Sequence, residues 1–179
     1  MKDTASGYSL WLVPEGVVLE YLQRIISDLS MEYETPVFEP HVTLIGEMNC
    51  DLGEASEYAS QIARRLRPFY VELGMPCRGD TYFKSLFAEI KETPELMEAN
   101  KIAQEMCGTQ QVYTPHLSLL YSLLYGDLDE EVLRDTLHYL RNKFQGGGGF
   151  PVTSLFLYQT EGEPWHWHRI AGVKIRTNN

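Results

Sequence analysis

Apolar residues recur along this chain with two different periods. Tyr8 to Val13 is a short apolar run bounded by Gly7 and Pro14, the pattern of a strand. From Glu15 to Leu29, Val18, Tyr21, Leu22, Ile25, Ile26 and Leu29 recur at helical spacing, which predicts a helix with one buried face. Phe38 to Ile45 reads as a strand entered through Pro40, and Glu54 to Leu66 as a helix. Tyr70 to Leu73 and Thr81 to Ile90 follow as strands. Thr93, Pro94 and Glu95 have N-cap chemistry with proline at the first helical position; that helix reaches Met106 and stops at Gly108. His116 to Tyr121 is a strand, Asp129 to Phe144 a helix, and Val152 to Gln159 and Trp165 to Ile175 two last strands. The glycines Gly146 to Gly149 read as a flexible loop.

Two of these segments match. Phe38 to Ile45 (FEPHVTLI) resembles Tyr113 to Leu120 (YTPHLSLL); each follows a strand and a helix, and each places proline directly before histidine. An internal duplication of this kind predicts an α+β fold with two similar lobes of antiparallel sheet and helices outside. The 179 residues suit a single bilobal domain spanning 1–179.

The pattern assigns chemistry to the repeated strands. Side chains alternate between faces of a strand. His41 and Thr43 therefore share one face, and Val42 and Leu44 the other. His116 and Ser118 stand in the same relation to Leu117 and Leu119. If the two histidine faces oppose each other, two imidazoles and two hydroxyls surround one cavity. Phosphodiester hydrolysis needs a proton taken from water and another given to the leaving oxygen. A neutral and a protonated histidine supply both near neutral pH. Hydroxyls can donate to the non-bridging phosphate oxygens. The arrangement requires no metal and no cofactor. The competing reading is a pair of proline-terminated strands whose histidines sit at a sheet edge.

Charge narrows the ligand. The net charge is -10, from 15 Lys+Arg against 25 Asp+Glu, whereas long RNA or DNA demands a basic stripe. A small-molecule partner fits better. Three cysteines, Cys50, Cys77 and Cys107, with no CxxC spacing, suit a reducing cytoplasm. No apolar stretch approaches the roughly 20 residues of a membrane-spanning helix, and the N-terminus lacks the features of a signal peptide. These features predict a soluble cytoplasmic protein, with a monomer favoured.

The paired H-x-[ST]-x strands resemble the two-histidine (2H) phosphoesterase superfamily. Five segments resemble more narrowly the cyclic phosphodiesterases of plants and yeast: Ser9 to Pro14, Phe38 to Thr43, Thr81 to Phe83, Thr93 to Ala99 and Pro115 to Tyr121. The resemblance implies a bilobal, pseudo-twofold fold around a central cleft. It also implies metal-independent opening of 2′,3′-cyclic nucleotides or ADP-ribose 1″,2″-cyclic phosphate to ring-opened monoesters. It assigns His116 as the base for water, His41 as the acid, and Thr43 and Ser118 as phosphate-holding hydroxyls. It puts Trp11, Tyr82 and Tyr121 at aromatic positions near the cleft, where stacking on a base or ribose is reasonable. Core packing is the alternative for Trp11 and Tyr82. The competing functions are an RNA-end 2′,3′-cyclic phosphodiesterase of the same superfamily and a non-catalytic binder of nucleotides or phosphosugars.

Other features carry less. Trp165-His166-Trp167-His168 would put both histidines on one face of a strand, which could bind a metal. The favoured reading is an aromatic strand with solvated histidines. His138 and the Arg64, Arg65, Arg67 cluster read as solvated helix surface. Lys84, close to Tyr82, could assist an anionic substrate.

Overall fold

A computed structural model of the chain describes residues 5–122, 130–144 and 148–176. The elements are β1 (Tyr8–Leu12), α1 (Gly16–Glu32), β2 (Val42–Met48), α2 (Leu52–Arg65), β3 (Phe69–Thr81), β4 (Lys84–Ile90) and α3 (Pro94–Cys107). They continue with β5 (His116–Leu120), α4 (Glu130–Lys143), β6 (Gly148–Val152), β7 (Ser154–Gln159), a 3-10 turn at Pro164–His166, and β8 (His168–Lys174). The predicted helix start at Asp129, and Gly146 and Gly147, lie outside the described residues.

The strands form one eight-stranded antiparallel sheet ordered β6-β3-β4-β5-β2-β1-β7-β8. The two predicted lobes are its halves, β2-β1-β7-β8 and β5-β4-β3-β6. They join where β2 meets β5, with Val42 opposite Leu117. The helices obey the same pseudo-twofold relation. Helix α1 leaves β1 and packs on β5, whereas α3 leaves β4 and packs on β2. Each half thus covers the histidine strand of the other. Alternation sends Val42, Leu44, Leu117 and Leu119 into the core, all fully buried, against Leu22 and Ile26 of α1 and Leu96, Ala99 and Ala103 of α3. Within this core Asn100 of α3 donates from its side-chain amide to the Leu44 carbonyl at 2.8 Å, tying helix to strand.

Helix α3 has the predicted ends. Thr93 Oγ1 accepts from the Leu96 N–H at 3.3 Å, Pro94 opens the helix, and Gly108 closes it at φ 67°, a left-handed position natural to glycine. Helix α2 begins earlier than predicted, under a reciprocal capping box between Asp51 and Glu54.

Several strand boundaries differ from the sequence pattern. Phe38 to His41 precede β2, because Pro40 has no N–H to give a ladder and the Glu39 carbonyl is engaged by His41. Strand β3 runs on past the predicted end at Leu73, through Gly74, Pro76 and Gly79. Its pairing with β6 covers only Phe69–Leu73, so Pro76 lies beyond that ladder, where a missing N–H is tolerated. Gly148 and Gly149 are strand and not loop: a Cβ at Gly149 would come within 2.0 Å of the Val71 carbonyl oxygen, so only glycine fits this pairing. The last predicted strand is shortened by the 3-10 turn, which Pro164 opens. Among the described residues no helix is long and apolar enough to cross a membrane.

Because Leu117 fills the joint between the halves, Leu117→Ala should cost about 2–5 kcal/mol of stability by urea unfolding, as buried leucine truncations do. A loss below about 1 kcal/mol would show that the joint is not a packed part of the core.

Candidate active site

The β2–β5 register assembles the site. With Val42 opposite Leu117, one step outward puts Thr43 opposite His116 and His41 opposite Ser118. Directly opposed residues lie on the same face of a sheet. All four side chains therefore stand on the face away from the helices. They line one cavity of about 240 Å³, together with Trp11, Phe83, Tyr121 and Trp167.

Each histidine is oriented in the same way. His41 Nδ1 lies 2.7 Å from the Glu39 carbonyl, and His116 Nδ1 lies 2.9 Å from the Thr114 carbonyl. A carbonyl only accepts, so Nδ1 carries the hydrogen and Nε2 is left as the working nitrogen. The intervening prolines, Pro40 and Pro115, account for the geometry. Proline fixes its own φ and pushes the preceding residue into extended backbone, which turns that residue's carbonyl back toward the imidazole two positions on. The repeated Pro-His is thus a device for aiming a histidine.

The surroundings of the two rings differ. His41 is buried and lies flat on Trp11, with centroids 3.5 Å apart and planes 5° from parallel. Trp11 in turn stacks on Tyr158 at 3.8 Å. His116 is less buried and meets Phe87 edge-on at 5.8 Å and 79°. Burial pushes the His41 imidazole down to about 4, the Glu39 carbonyl partly offsets this, and the charge of His116 lowers it further. Burial also lowers His116, the Thr114 carbonyl opposes the shift, and Lys84 adds to it. Both rings are therefore neutral in the ligand-free cleft at pH 7.

The Ser118 hydroxyl is engaged. Ser118 Oγ donates to the Phe83 carbonyl at 2.6 Å and must turn to donate to a ligand. Tyr121 lies at 3% exposure; burial raises its phenol, its neighbour Tyr82 adds to the shift, and a bond with Ser118 lowers it. The phenol is therefore a neutral donor at any working pH.

Of the aromatic residues expected here, Trp11 and Tyr121 line the cavity. Tyr82 does not: the Tyr82–Phe83 turn between β3 and β4 buries Tyr82 behind the wall and presents Phe83 instead. Sequence reasoning misses Trp167, although its segment is conspicuous. The 3-10 turn breaks the strand parity of Trp165-His166-Trp167-His168, leaves both histidines exposed, and directs Trp167 inward. Its ring packs near Trp11, Phe83 and Tyr121, at 5.9, 5.6 and 6.0 Å, while its indole N–H donates to the Gly162 carbonyl at 3.1 Å. Lys84 stands over the Phe87 ring at 4.5 Å and lines an adjoining cavity of about 260 Å³ with Thr43 and His116. Arg64, Arg65, Arg67 and His138 are exposed, away from this site. Among the described residues no group of three or more His, Cys, Asp or Glu side chains is placed to hold a metal ion.

Comparison with known proteins agrees with this geometry. Residues 6–175 match the family described as cyclic phosphodiesterase-like protein. A cyclic phosphodiesterase of Arabidopsis thaliana is 28% identical over 160 residues, covering 87% of this chain and 86% of that protein. A 2′,3′-cyclic-nucleotide 3′-phosphodiesterase of Kluyveromyces lactis is 30% identical over 149 residues, covering 72% and 70%. The crystal structure of TT0787 of Thermus thermophilus superposes with a TM-score of 0.67 at 14% identity, over 97% of this chain and 100% of that one, a likeness of fold.

The electrostatics predict a direct observable. In a nitrogen-15 NMR titration of the ligand-free protein, His41 should stay neutral with hydrogen on Nδ1 until about pH 4. A midpoint near 6.5 would mean that His41 is solvated and not held on Trp11.

Proposed function

The chain belongs to the cyclic phosphodiesterase-like family of two-histidine phosphoesterases, and on that premise we propose that it opens 2′,3′-cyclic nucleotides or ADP-ribose 1″,2″-cyclic phosphate by metal-independent acid–base catalysis. The observation that carries this reading is the pair of carbonyl-braced imidazoles on one sheet face, each with Nε2 left to work. The names of the Arabidopsis and Kluyveromyces relatives support the substrate class, and the net charge of -10 favours a small ligand over a long nucleic acid.

The chemistry follows from the two environments. His116 sits beside the positive charge of Lys84, which favours its neutral form, so it takes the proton from water. His41 lies on the indole face of Trp11, which stabilises an imidazolium once the anionic substrate has drawn a proton in. Water oxygen bonds to phosphorus as His116 Nε2 accepts its proton. The bond from phosphorus to one ribose oxygen breaks as His41 Nε2 gives that oxygen a proton. One proton is taken up and one released, and exchange with solvent restores the starting states. Thr43, Ser118 and the neutral phenol of Tyr121 line the cavity as donors for the non-bridging oxygens, whose charge builds in the transition state. Trp11, Phe83 and Trp167 provide the apolar wall for a ribose or base.

His41→Ala and His116→Ala should each lower kcat by at least about a hundredfold on 2′,3′-cyclic AMP, with activity of the unaltered enzyme unchanged by EDTA. Wild-type turnover in either variant would remove the acid–base pair. Loss in EDTA that zinc or manganese restores would replace it with a metal mechanism. Turnover of a cyclic-phosphate-ended oligonucleotide with none of the mononucleotide would move the substrate to RNA ends.

The pH profile tests the shifts. The productive free enzyme carries one proton on the histidine pair, and both histidines titrate below the usual 6.5. The fraction in that state falls as pH rises through the shifted values. Above pH 6.5, kcat/KM should therefore fall about tenfold per pH unit. A plateau extending to pH 8 would contradict the depressed histidines.

A further inference from the structure

The sheet makes the two histidines near-equivalents, yet catalysis needs one acid and one base. A feature that breaks the symmetry lies behind His41. Tyr158 OH donates to the Glu39 carboxylate, Arg169 Nε donates to Tyr158 OH at 2.8 Å, and Arg169 Nη2 donates to the other Glu39 oxygen at 2.6 Å. The network reaches His41 by two routes. Glu39 holds Nδ1 through its own carbonyl, and Tyr158 backs the indole on which the ring lies.

Among the described residues, the other half shows no matching network. Trp11 pairs with Thr43 as Phe87 pairs with Ser118. In the next strands, Phe156 pairs with Trp11 and Cys77 with Phe87. Two residues further along, Tyr158 in one half corresponds to Gly79, beside a register shift, in the other, and among the described residues Phe87 is faced by Lys84 Nζ at 4.5 Å where Trp11 is backed by a tyrosine ring. Arg169 comes from β8, opposite Tyr158, whereas β6 pairs with β3 only over Phe69–Leu73, short of Gly79. Glu39 corresponds to Thr114. A carbonyl braces both histidines, but among the described residues the Glu39–Tyr158–Arg169 clamp stands behind His41 alone.

The geometry points to Glu39, Tyr158 and Arg169 as positioning residues that dedicate His41 to the acid step. This rests on the cyclic phosphodiesterase reading above. A general acid must hold its N–H on the leaving oxygen as the bond stretches, and a ring free to tilt loses that alignment. The clamp fixes the imidazole plane by stacking and its rotation by the carbonyl. The carboxylate and guanidinium offset each other's charge, so the network acts through position.

The test separates acid assistance from general structural damage. Tyr158→Phe keeps the stacked ring and removes the hydroxyl; Glu39→Gln keeps the backbone carbonyl; Arg169→Met removes both donor bonds from a partly exposed side chain. Two substrates are compared, adenosine 2′,3′-cyclic phosphate and its analogue with sulfur in place of the bridging oxygen whose bond breaks. A thiolate leaves without a proton. Each variant should lose at least about tenfold in kcat on the oxygen substrate with KM within about threefold, and less than about threefold on the sulfur analogue. His41→Ala should show the same selective rescue, and His116→Ala should lose both substrates. Equal losses on both substrates, or none on the oxygen substrate, would overturn the positioning role. If Tyr158→Phe does not fold, Glu39→Gln and Arg169→Met carry the comparison. Full turnover by both histidine variants would instead overturn the two-histidine mechanism, and no turnover of either substrate by the unaltered protein would overturn the cyclic phosphodiesterase reading itself.

Discussion

The pairing of Val42 with Leu117 is the constraint from which the site follows. It lies at the pseudo-twofold axis, and it sets both faces of the sheet at once. On one face it buries four aliphatic residues against α1 and α3. On the other it brings two histidines and two hydroxyls over the same cavity. A slip of one residue in this register would exchange the faces and bury the imidazoles in the core. The hydrophobic packing that stabilises the joint therefore also specifies the chemistry, and the two cannot be altered independently.

Symmetry alone would give two equal histidines. Their environments separate them. One ring is flat on an indole backed by a tyrosine and a charged pair; the other meets a phenylalanine edge and the field of Lys84. Burial keeps both neutral while the cleft lacks an anion, and the proposed mechanism therefore relies on the substrate's own charge to bring the proton in. Solvent-exposed imidazoles would respond far less to the arrival of one phosphate.

Much of this was legible in the sequence. Period-two alternation around His41 and His116, repeated after proline, picked out the sheet face that lines the cavity because a strand separates its faces by parity. Caps named the ends of α3 because Thr93, Pro94 and Gly108 act locally. Parity was also where the reading failed. The turn at Tyr82–Phe83 exchanged the expected tyrosine for its neighbour, and the 3-10 turn before β8 swung Trp167 into the cavity. Gly149 read as loop because its reason for being glycine, the Val71 carbonyl, belongs to a distant strand. The Glu39–Tyr158–Arg169 network was invisible for the same reason: its members are 119 and 130 positions apart from Glu39 and meet only through the sheet.

The central claim is that both histidines serve one phosphate site. The most direct measurement is a nitrogen-15 NMR titration of both imidazoles at pH 7 with adenosine 2′-phosphate or 3′-phosphate, ring-opened products that cannot turn over. Both Nε2 signals should move with one binding constant, and one ring should become protonated while the other stays neutral. Movement of a single histidine, or of neither, would contradict a shared site.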